Sequence, residues 1–288
     1  MVSSSFDYHA PTTVAEAASL LSQHGGNAKL LAGGHSLVPL MKLRLAQPEV
    51  VIDLGKISSM AYIEEKDGSL AIGAMTTYAQ IESSDLVRSR APMLAEAAGL
   101  VADPQVRNMG TIGGSLAHAD PAADLTAVVL ALGAQLITSS TGEHRTLSID
   151  DFFVDLLTTA LQPTEILSEI LIPALAPRTG TAYTKFANKA SHYAIVGVAA
   201  VVTLDSGGVC QEAKIAITGA GPKASRAVET EAALRGNRLD DAAIKAAAQS
   251  AGAGIDFLED IHASGEYRAH LTSVFAERAI REATSRAS

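Results

Sequence analysis

Ala32-Gly33-Gly34-His35-Ser36-Leu37 and Thr111-Ile112-Gly113-Gly114-Ser115-Leu116 are the two stretches whose reading decides the fold. Glycine has no Cβ, so a Gly-Gly pair permits φ > 0 and close approach of backbone to a ligand. Each stretch offers successive amides and a hydroxyl, and two such loops can clamp a pyrophosphate from opposite sides without a basic side chain. A single Gly-Gly pair is more often only a turn. Two pairs in similar settings narrow the reading to a dinucleotide site. Neither opens a helix as Gly-x-Gly-x-x-Gly straight after a strand, and Gly-x-x-x-x-Gly-Lys-[Ser/Thr] is absent, so the Rossmann and P-loop designs are both disfavoured.

Working outward, Ala28 to Ala32 reads as a short apolar strand running into the first pair, and Val50 to Leu54 as a second buried strand after Pro48. Upstream, Thr13 with Glu16 forms a capping-box pattern, and Ala15, Ala18 and Leu21 recur at helical spacing until Gly25-Gly26. Downstream, Leu70 to Gly73 reads as a strand, and Thr77 to Ser83 and Pro92 to Gly99 as helical turns before a loop at Asp103-Pro104. Past the second pair, Asp120-Pro121 fits an N-cap with proline at the first helical position of an apolar helix ending at Leu132-Gly133. Ala134 to Thr138 and Glu165 to Ile172 read as strands, and Pro173 with Pro177 marks a boundary. Beyond it, Ala182 to Asn188, Ile195 to Leu204 and Ala213 to Thr218 read as three strands. Three helices follow, at about Ser225 to Leu234, Asp240 to Ala251 and Tyr267 to Thr284. Strands first and helices after predict an α+β domain.

Composition sets the outer limits. A chain of 288 residues, 48% hydrophobic and 18% charged, can bury a substantial core and is too apolar to stay disordered. Its net charge of −9 with no Lys/Arg-rich run leaves nucleic-acid binding without an electrostatic source. Cys210 is the only cysteine, so the chain alone cannot supply the thiolates of an iron–sulfur cluster or a Cys-rich zinc site. His35 and His118 flank the glycine loops but have no metal-ligand spacing with a carboxylate, and no metal is assigned. There is no signal-peptide pattern and no run fit to span a bilayer, which gives the expectation of a cytoplasmic protein, in solution or at the inner face of the membrane.

The paired glycine motifs, with Lys42-Leu43-Arg44 after the first and Asp120-Pro121-Ala122-Ala123-Asp124 after the second, resemble the FAD-binding medium subunit of the carbon monoxide dehydrogenase and xanthine dehydrogenase family of molybdenum hydroxylases. The likeness runs nearly end to end. It implies an α+β fold: a two-subdomain FAD-binding domain of the PCMH/vanillyl-alcohol-oxidase-like type over residues 1–175, then a small α+β domain over 176–288 with a three-stranded antiparallel sheet and three helices. Carried over by position, Ala32, Gly33, Gly34, His35, Ser36 and Leu37 together with Thr111, Ile112, Gly113, Gly114 and Ser115 become pyrophosphate ligands. Asp124 becomes an acceptor for the ribose or adenine end, against the plainer reading of a carboxylate in the first turn of a helix. Leu167 and Lys185 match positions near the flavin, where a cation could stabilise negative charge on the ring. Tyr193 matches an aromatic against the isoalloxazine. Ser115 stands where many relatives have Asn or Asp.

The resemblance also implies what lies outside the chain. A medium subunit of this kind carries only the flavin, while a small subunit holds [2Fe-2S] clusters and a large subunit holds the molybdenum cofactor, in a dimer of heterotrimers. Substrate oxidation would then belong to the large subunit, and this chain would pass electrons from the iron–sulfur subunit to an external acceptor. Two rivals stand beside that expectation: a self-sufficient FAD-dependent oxidoreductase with its own substrate pocket, and a non-catalytic nucleotide-binding module.

Overall fold

The computed structural model describes residues 2–287. It begins with β1 (Asp7–His9), α1 (Val14–His24), β2 (Ala28–Leu31), α2 (Leu37–Lys42) and β3 (Val50–Asp53). β1 and β2 both pair in parallel with β3, in the order β1-β3-β2. The sequence explains why β3 is central, since Val50, Val51 and Ile52 are all buried and a parallel strand covered on both faces needs a continuous apolar run. The Thr13 hydroxyl accepts from the amide of Glu16 at 3.2 Å as the capping pattern predicts. The Glu16 carboxylate, however, reaches back one residue further, to the amide of Thr12.

A second layer follows. β4 (Ile63–Lys66) and β5 (Ser69–Gly73) lead into six short helices: α3 (Tyr78–Ser83), α4 (Asp85–Arg90), α5 (Pro92–Gly99), α6 (Pro104–Met109), α7 (Ile112–His118) and α8 (Asp124–Leu132). The chain returns as β6 (Gln135–Ser139), β7 (His144–Ser148), the small hairpin β8 (Phe153–Asp155) and β9 (Thr158–Thr159), and β10 (Ile166–Ile172). Five of these strands form an antiparallel sheet in the order β4-β5-β10-β6-β7. All nine residues of α8 are buried, as expected of a helix that is apolar all round.

The C-terminal part is an antiparallel meander of β11 (Thr179–Ala187), β12 (Ala194–Leu204), β13 (Cys210–Thr218) and the two-residue β14 (Ser225–Arg226). It is completed by α9 (Val228–Leu234), α10 (Asp241–Ala248) and α11 (Gly265–Arg286). The expected three strands and three helices are present, and Ser225-Arg226 adds a fourth, short edge strand to the sheet. Side chains alternate across a strand, and here the alternation divides two cores. Val196, Val198, Val202, Ile215 and Ile217 pack with Phe275, Ala276, Ala279 and Ile280 of α11. Ala199, Val201 and Ala216 face the other way, into the core that contains α8. The C-terminal sheet is therefore sandwiched between α8 and α11.

Two expectations are corrected. The apolar helix starts at Asp124, not Pro121, because the Asp120 carboxylate closes a turn onto the amide of Ala122 before the helix begins. The second glycine pair is not a loop leading to a helix but lies inside the first turns of α7. Among the described residues no helix is long and apolar enough to cross a membrane. Cys210 is buried, and burial pushes its thiol up to about 11.

Gly180 shows how closely the layers meet. A Cβ there would run into the carbonyl oxygen of Ala283 and come within 2.5 Å of the amide nitrogen of Ala287, both backbone atoms of the α11 end. Gly180→Ala should therefore destabilise the protein by about 1–3 kcal/mol in urea unfolding through overpacking. Gly26→Ala, where a Cβ meets nothing within 4 Å, should leave the midpoint nearly unchanged.

Candidate functional site

Both glycine stretches open onto one cleft of about 670 Å³, a size typical of ligand sites. Its walls come from the β2–α2 connection, the α6–α7 region, the segment at Asp120 to Leu125, the loop from Leu157 to Leu167, and Ser191 to Tyr193 of the C-terminal sheet. The expected residues Ala32, Gly33, Gly34, His35, Ser36, Leu37, Thr111, Gly113, Gly114, Ser115, Asp124, Leu167 and Tyr193 all line it. Ile112 and Lys185 do not: Ile112 is fully buried in the core, and the Lys185 ammonium is turned into a polar network described below.

The first stretch is rich in free donors. Among the described residues, no protein acceptor takes the amide N–H groups of Gly33, Gly34, His35 or Ser36. The carbonyls of Gly34 and Ser36 accept from Val38 and Leu40, which holds the turn in shape. Gly34 sits at φ 76°, in the left-handed region that favours glycine. Gly33 is glycine for a different reason: a Cβ there would strike the Met109 carbonyl oxygen and lie 2.7 Å from Cα of Gly110. The first loop is thus packed backbone to backbone against the approach to the second.

The second stretch behaves otherwise. Ile112 donates its amide to Thr76 O at 3.0 Å, Gly113 to Ala74 O at 2.9 Å, Gly114 to the Thr111 hydroxyl at 3.1 Å, and Ser115 to Thr111 O at 3.0 Å. The expected row of free amides on this side is therefore spent on capping α7 and docking it. The glycines serve contact. A Cβ on Gly113 would come 2.7 Å from Ala74 O, and one on Gly114 would lie 3.3 Å from Cβ of Ala32 in the first loop. Tyr78, a cleft residue that sequence reading missed, stands near Ser115, and burial pushes its hydroxyl up to about 12 against the downward pull of the Ser115 side chain. The one signal for Tyr78 is the Thr77/Gln80 capping box that starts its helix and turns its ring inward.

Asp124 and Lys185 are brought together, although one opens α8 and the other lies on β11 of the C-terminal sheet. The Asp124 carboxylate accepts from the Tyr183 hydroxyl at 2.5 Å and from Lys185 Nζ at 3.1 Å, with both members of the ion pair about 5–6% exposed. Burial pushes the Asp124 carboxyl up, against the downward pull of the Lys185 cation and the Tyr183 hydroxyl. Lys185 Nζ donates further to Leu100 O at 2.7 Å and His192 O at 2.8 Å. The lysine thus bridges the end of α5, the start of α8 and the turn before Tyr193. In that turn Asn188 and Tyr193 pair through N–H and C=O, His192 takes φ 61°, and Tyr193 is left half-exposed at the cleft edge. Burial raises the Tyr193 hydroxyl above its ordinary value. Leu167 enters the cleft beside a bulge in β10. Among the described residues no group of three or more His, Cys, Asp or Glu side chains could hold a metal ion.

Comparison with known proteins gives two family matches. The FAD binding domain in molybdopterin dehydrogenase matches residues 4–175, and the CO dehydrogenase flavoprotein C-terminal domain matches residues 181–283. The chain is 42% identical over 286 residues to the carbon monoxide dehydrogenase medium chain of Hydrogenophaga pseudoflava, covering 99% of each. It is 39% identical to the 6-hydroxypseudooxynicotine dehydrogenase complex subunit alpha of Paenarthrobacter nicotinovorans, over 98% of this chain and 96% of that one. A solved structure of carbon monoxide dehydrogenase from Hydrogenophaga pseudoflava superposes with a TM-score of 0.97 at 43% identity, covering all of both chains.

The buried pair makes a direct prediction. Lys185→Met removes the cation and leaves Asp124 in an apolar setting, which should cost about 3–5 kcal/mol in urea unfolding. Asp124→Leu combined with Lys185→Met should be less destabilised than Lys185→Met alone. A double variant that loses the sum of both single effects would show that the two residues do not interact.

Proposed function

The chain belongs to the family of FAD-binding proteins of the molybdopterin dehydrogenases, and we propose that it holds one FAD in this cleft and works as the electron-transfer subunit between a partner iron–sulfur subunit and an external acceptor. The observation that carries the reading is the run of four amides at Gly33 to Ser36 with no protein acceptor among the described residues, in a stretch that lines the cleft. Free N–H groups fixed in one direction fit a diphosphate, which needs several donors and accepts them from backbone. When bound, FAD supplies the redox chemistry, and the protein supplies binding, orientation and electrostatics.

On this reading Ala32, Gly33, Gly34, His35, Ser36 and Leu37 hold the diphosphate by backbone, with the Ser36 hydroxyl beside them. Thr111, Gly113, Gly114 and Ser115 form the opposing surface, and Ile112 supports it from the core. Leu167 and Tyr193 supply apolar and aromatic surface for the ring. Asp124 is part of the wall and Lys185 supports it from behind, each already held by protein partners. We place the division between the FAD-binding and C-terminal domains at residues 175/176.

The chain's own composition supports a partner-based assignment. Cys210, its only cysteine, is buried, so iron–sulfur ligands must come from another chain. The named relatives point the same way, one being a medium chain and one a subunit of a dehydrogenase complex. We therefore propose a small subunit with [2Fe-2S] clusters and a large subunit with the molybdenum cofactor, assembled as a dimer of heterotrimers.

Purification of the complex from its native host through a tag on this chain tests the proposal. The expected result is one FAD per chain, two co-purifying subunits, and iron and molybdenum in the complex. Recovery of this chain alone, without flavin or metal, would refute it. Gly34→Val places a branched side chain at φ 76° and against the side chain of Val38, at a cost of about 1–3 kcal/mol in backbone strain. It should strip FAD from the complex while the far-ultraviolet circular dichroism stays that of the folded chain.

A further inference from the structure

Arg268 is a buried arginine that no part of the proposed function uses. It lies at the start of α11, is 4% exposed, and reaches the ends of two strands of the C-terminal sheet. Its Nη1 donates to Ile195 O at 2.7 Å and to Gly219 O at 2.7 Å, and its Nη2 donates to the Asp260 carboxylate at 2.7 Å. Its Nε has no partner among the described residues although it is buried. A guanidinium in this setting is costly, and a methylene-rich apolar side chain would fill the space without that cost.

The two carbonyls it holds are each one step from the cleft. Ile195 follows Tyr193 by two residues, at the point where the turn becomes β12. Gly219 sits at φ 79° just after β13, and its amide donates to Pro121 O at 2.6 Å. The Thr218 hydroxyl reaches the same carbonyl at 2.6 Å and Ala123 O at 2.9 Å. Pro121 to Asp124 is the cleft wall that follows the second glycine pair, and Ala123 and Asp124 line it. Arg268 therefore clamps together the strand end that carries Tyr193 and the strand end that carries the 121–124 wall. A Cβ on Gly219 would lie 2.5 Å from Ala194 O and 2.7 Å from Ile195 O, so the two ends are already as close as backbone allows.

Lys185 holds the other side of the same turn through His192 O and ties it to Asp124. The carbonyls before and after Tyr193 are thus each held by a buried cation, and each cation is linked in turn to the 121–124 segment. We propose that Arg268 is a positioning residue for the cofactor site: acting through Ile195 and Gly219, it fixes where Tyr193 stands relative to the 121–124 wall. The inference rests on the reading of the cleft as an FAD site.

The test is a double-mutant cycle in the complex purified from its host, read by FAD retention after gel filtration and by the visible circular dichroism of the bound flavin. Arg268→Gln should speed flavin loss by about tenfold and alter the flavin dichroism, and Tyr193→Ala should do the same. With Tyr193 already replaced, Arg268→Gln should add little to either readout. Asp260→Asn is the milder variant, usable where Arg268→Gln does not assemble. Its amide oxygen can still cap His262 and Ala263 while the charge facing Arg268 is lost, so it should move both readouts in the same direction by less. A loss of thermal stability with retention and dichroism unchanged would overturn the proposal, as would full additivity with Tyr193→Ala. A wild-type complex that carries no flavin would instead overturn the cofactor reading. Flavin that responds to Tyr193→Ala but not to Arg268→Gln or Asp260→Asn would overturn the Arg268 assignment alone.

Discussion

The Asp124 carboxylate is the constraint on which the two halves of the molecule agree. It stands at the first position of α8, and α8 is buried along its whole length between the N-terminal layers and the C-terminal sheet. A carboxylate in such a place must be answered by donors or give up its charge. Both donors, Tyr183 and Lys185, come from β11 of the C-terminal sheet, so docking of that sheet and satisfaction of Asp124 are the same event. Neither half is complete without the other. Lys185 then extends the link to Leu100 and His192, which sets the Tyr193 turn over the cleft.

The glycines act within that frame in two ways that the residue type alone does not separate. Gly34 needs its left-handed conformation, and the amides around it are free. Gly33, Gly113 and Gly114 are demanded by neighbouring protein atoms, respectively near Gly110, Ala74 and Ala32. The similar motifs therefore have unequal roles: one presents donors, and the other lets a capped helix come close enough to hold the first in place. Close packing of this kind leaves little slack, so the loop geometry depends on contacts made well away from any ligand.

Much of this was legible in the sequence, for identifiable reasons. The β12 run from Ala194 to Leu204 is apolar enough to mark a strand covered on both faces, and the strand leading into Gly33 ends at Leu31, one residue before the reading had it. The α11 helix is legible because its buried positions recur at helical spacing. What escaped was short or long-range. The three residues of β1 and the mostly exposed β7 carry no apolar alternation to detect. The start of α7 was hidden because Gly113-Gly114 looks like a turn, although Thr111 sits where a cap hydroxyl would bond Gly114. The partners of Lys185, which are Leu100, Asp124 and His192, are distant in sequence or joined through main-chain atoms, and no local pattern shows them. Arg268 has no local signal either, because what defines it is the meeting of two strand ends distant in sequence.

These contacts also decide what kind of binding the cleft can perform. The acids that line it are already engaged: Asp103 caps α6, Asp120 closes its turn, Asp124 is paired, and Glu165 is held by Arg145. Lys29 is the one lysine or arginine among the lining residues, so an anionic ligand meets oriented amides more than mobile cations. A cation attracts at a distance and tolerates misplacement, whereas an N–H group weakens steeply once its angle or distance drifts. Affinity here must then depend on the shape of the Gly33 to Ser36 turn. That shape is maintained by the Gly33 contact with Met109 and Gly110, which couples ligand binding to the packing of the whole N-terminal half.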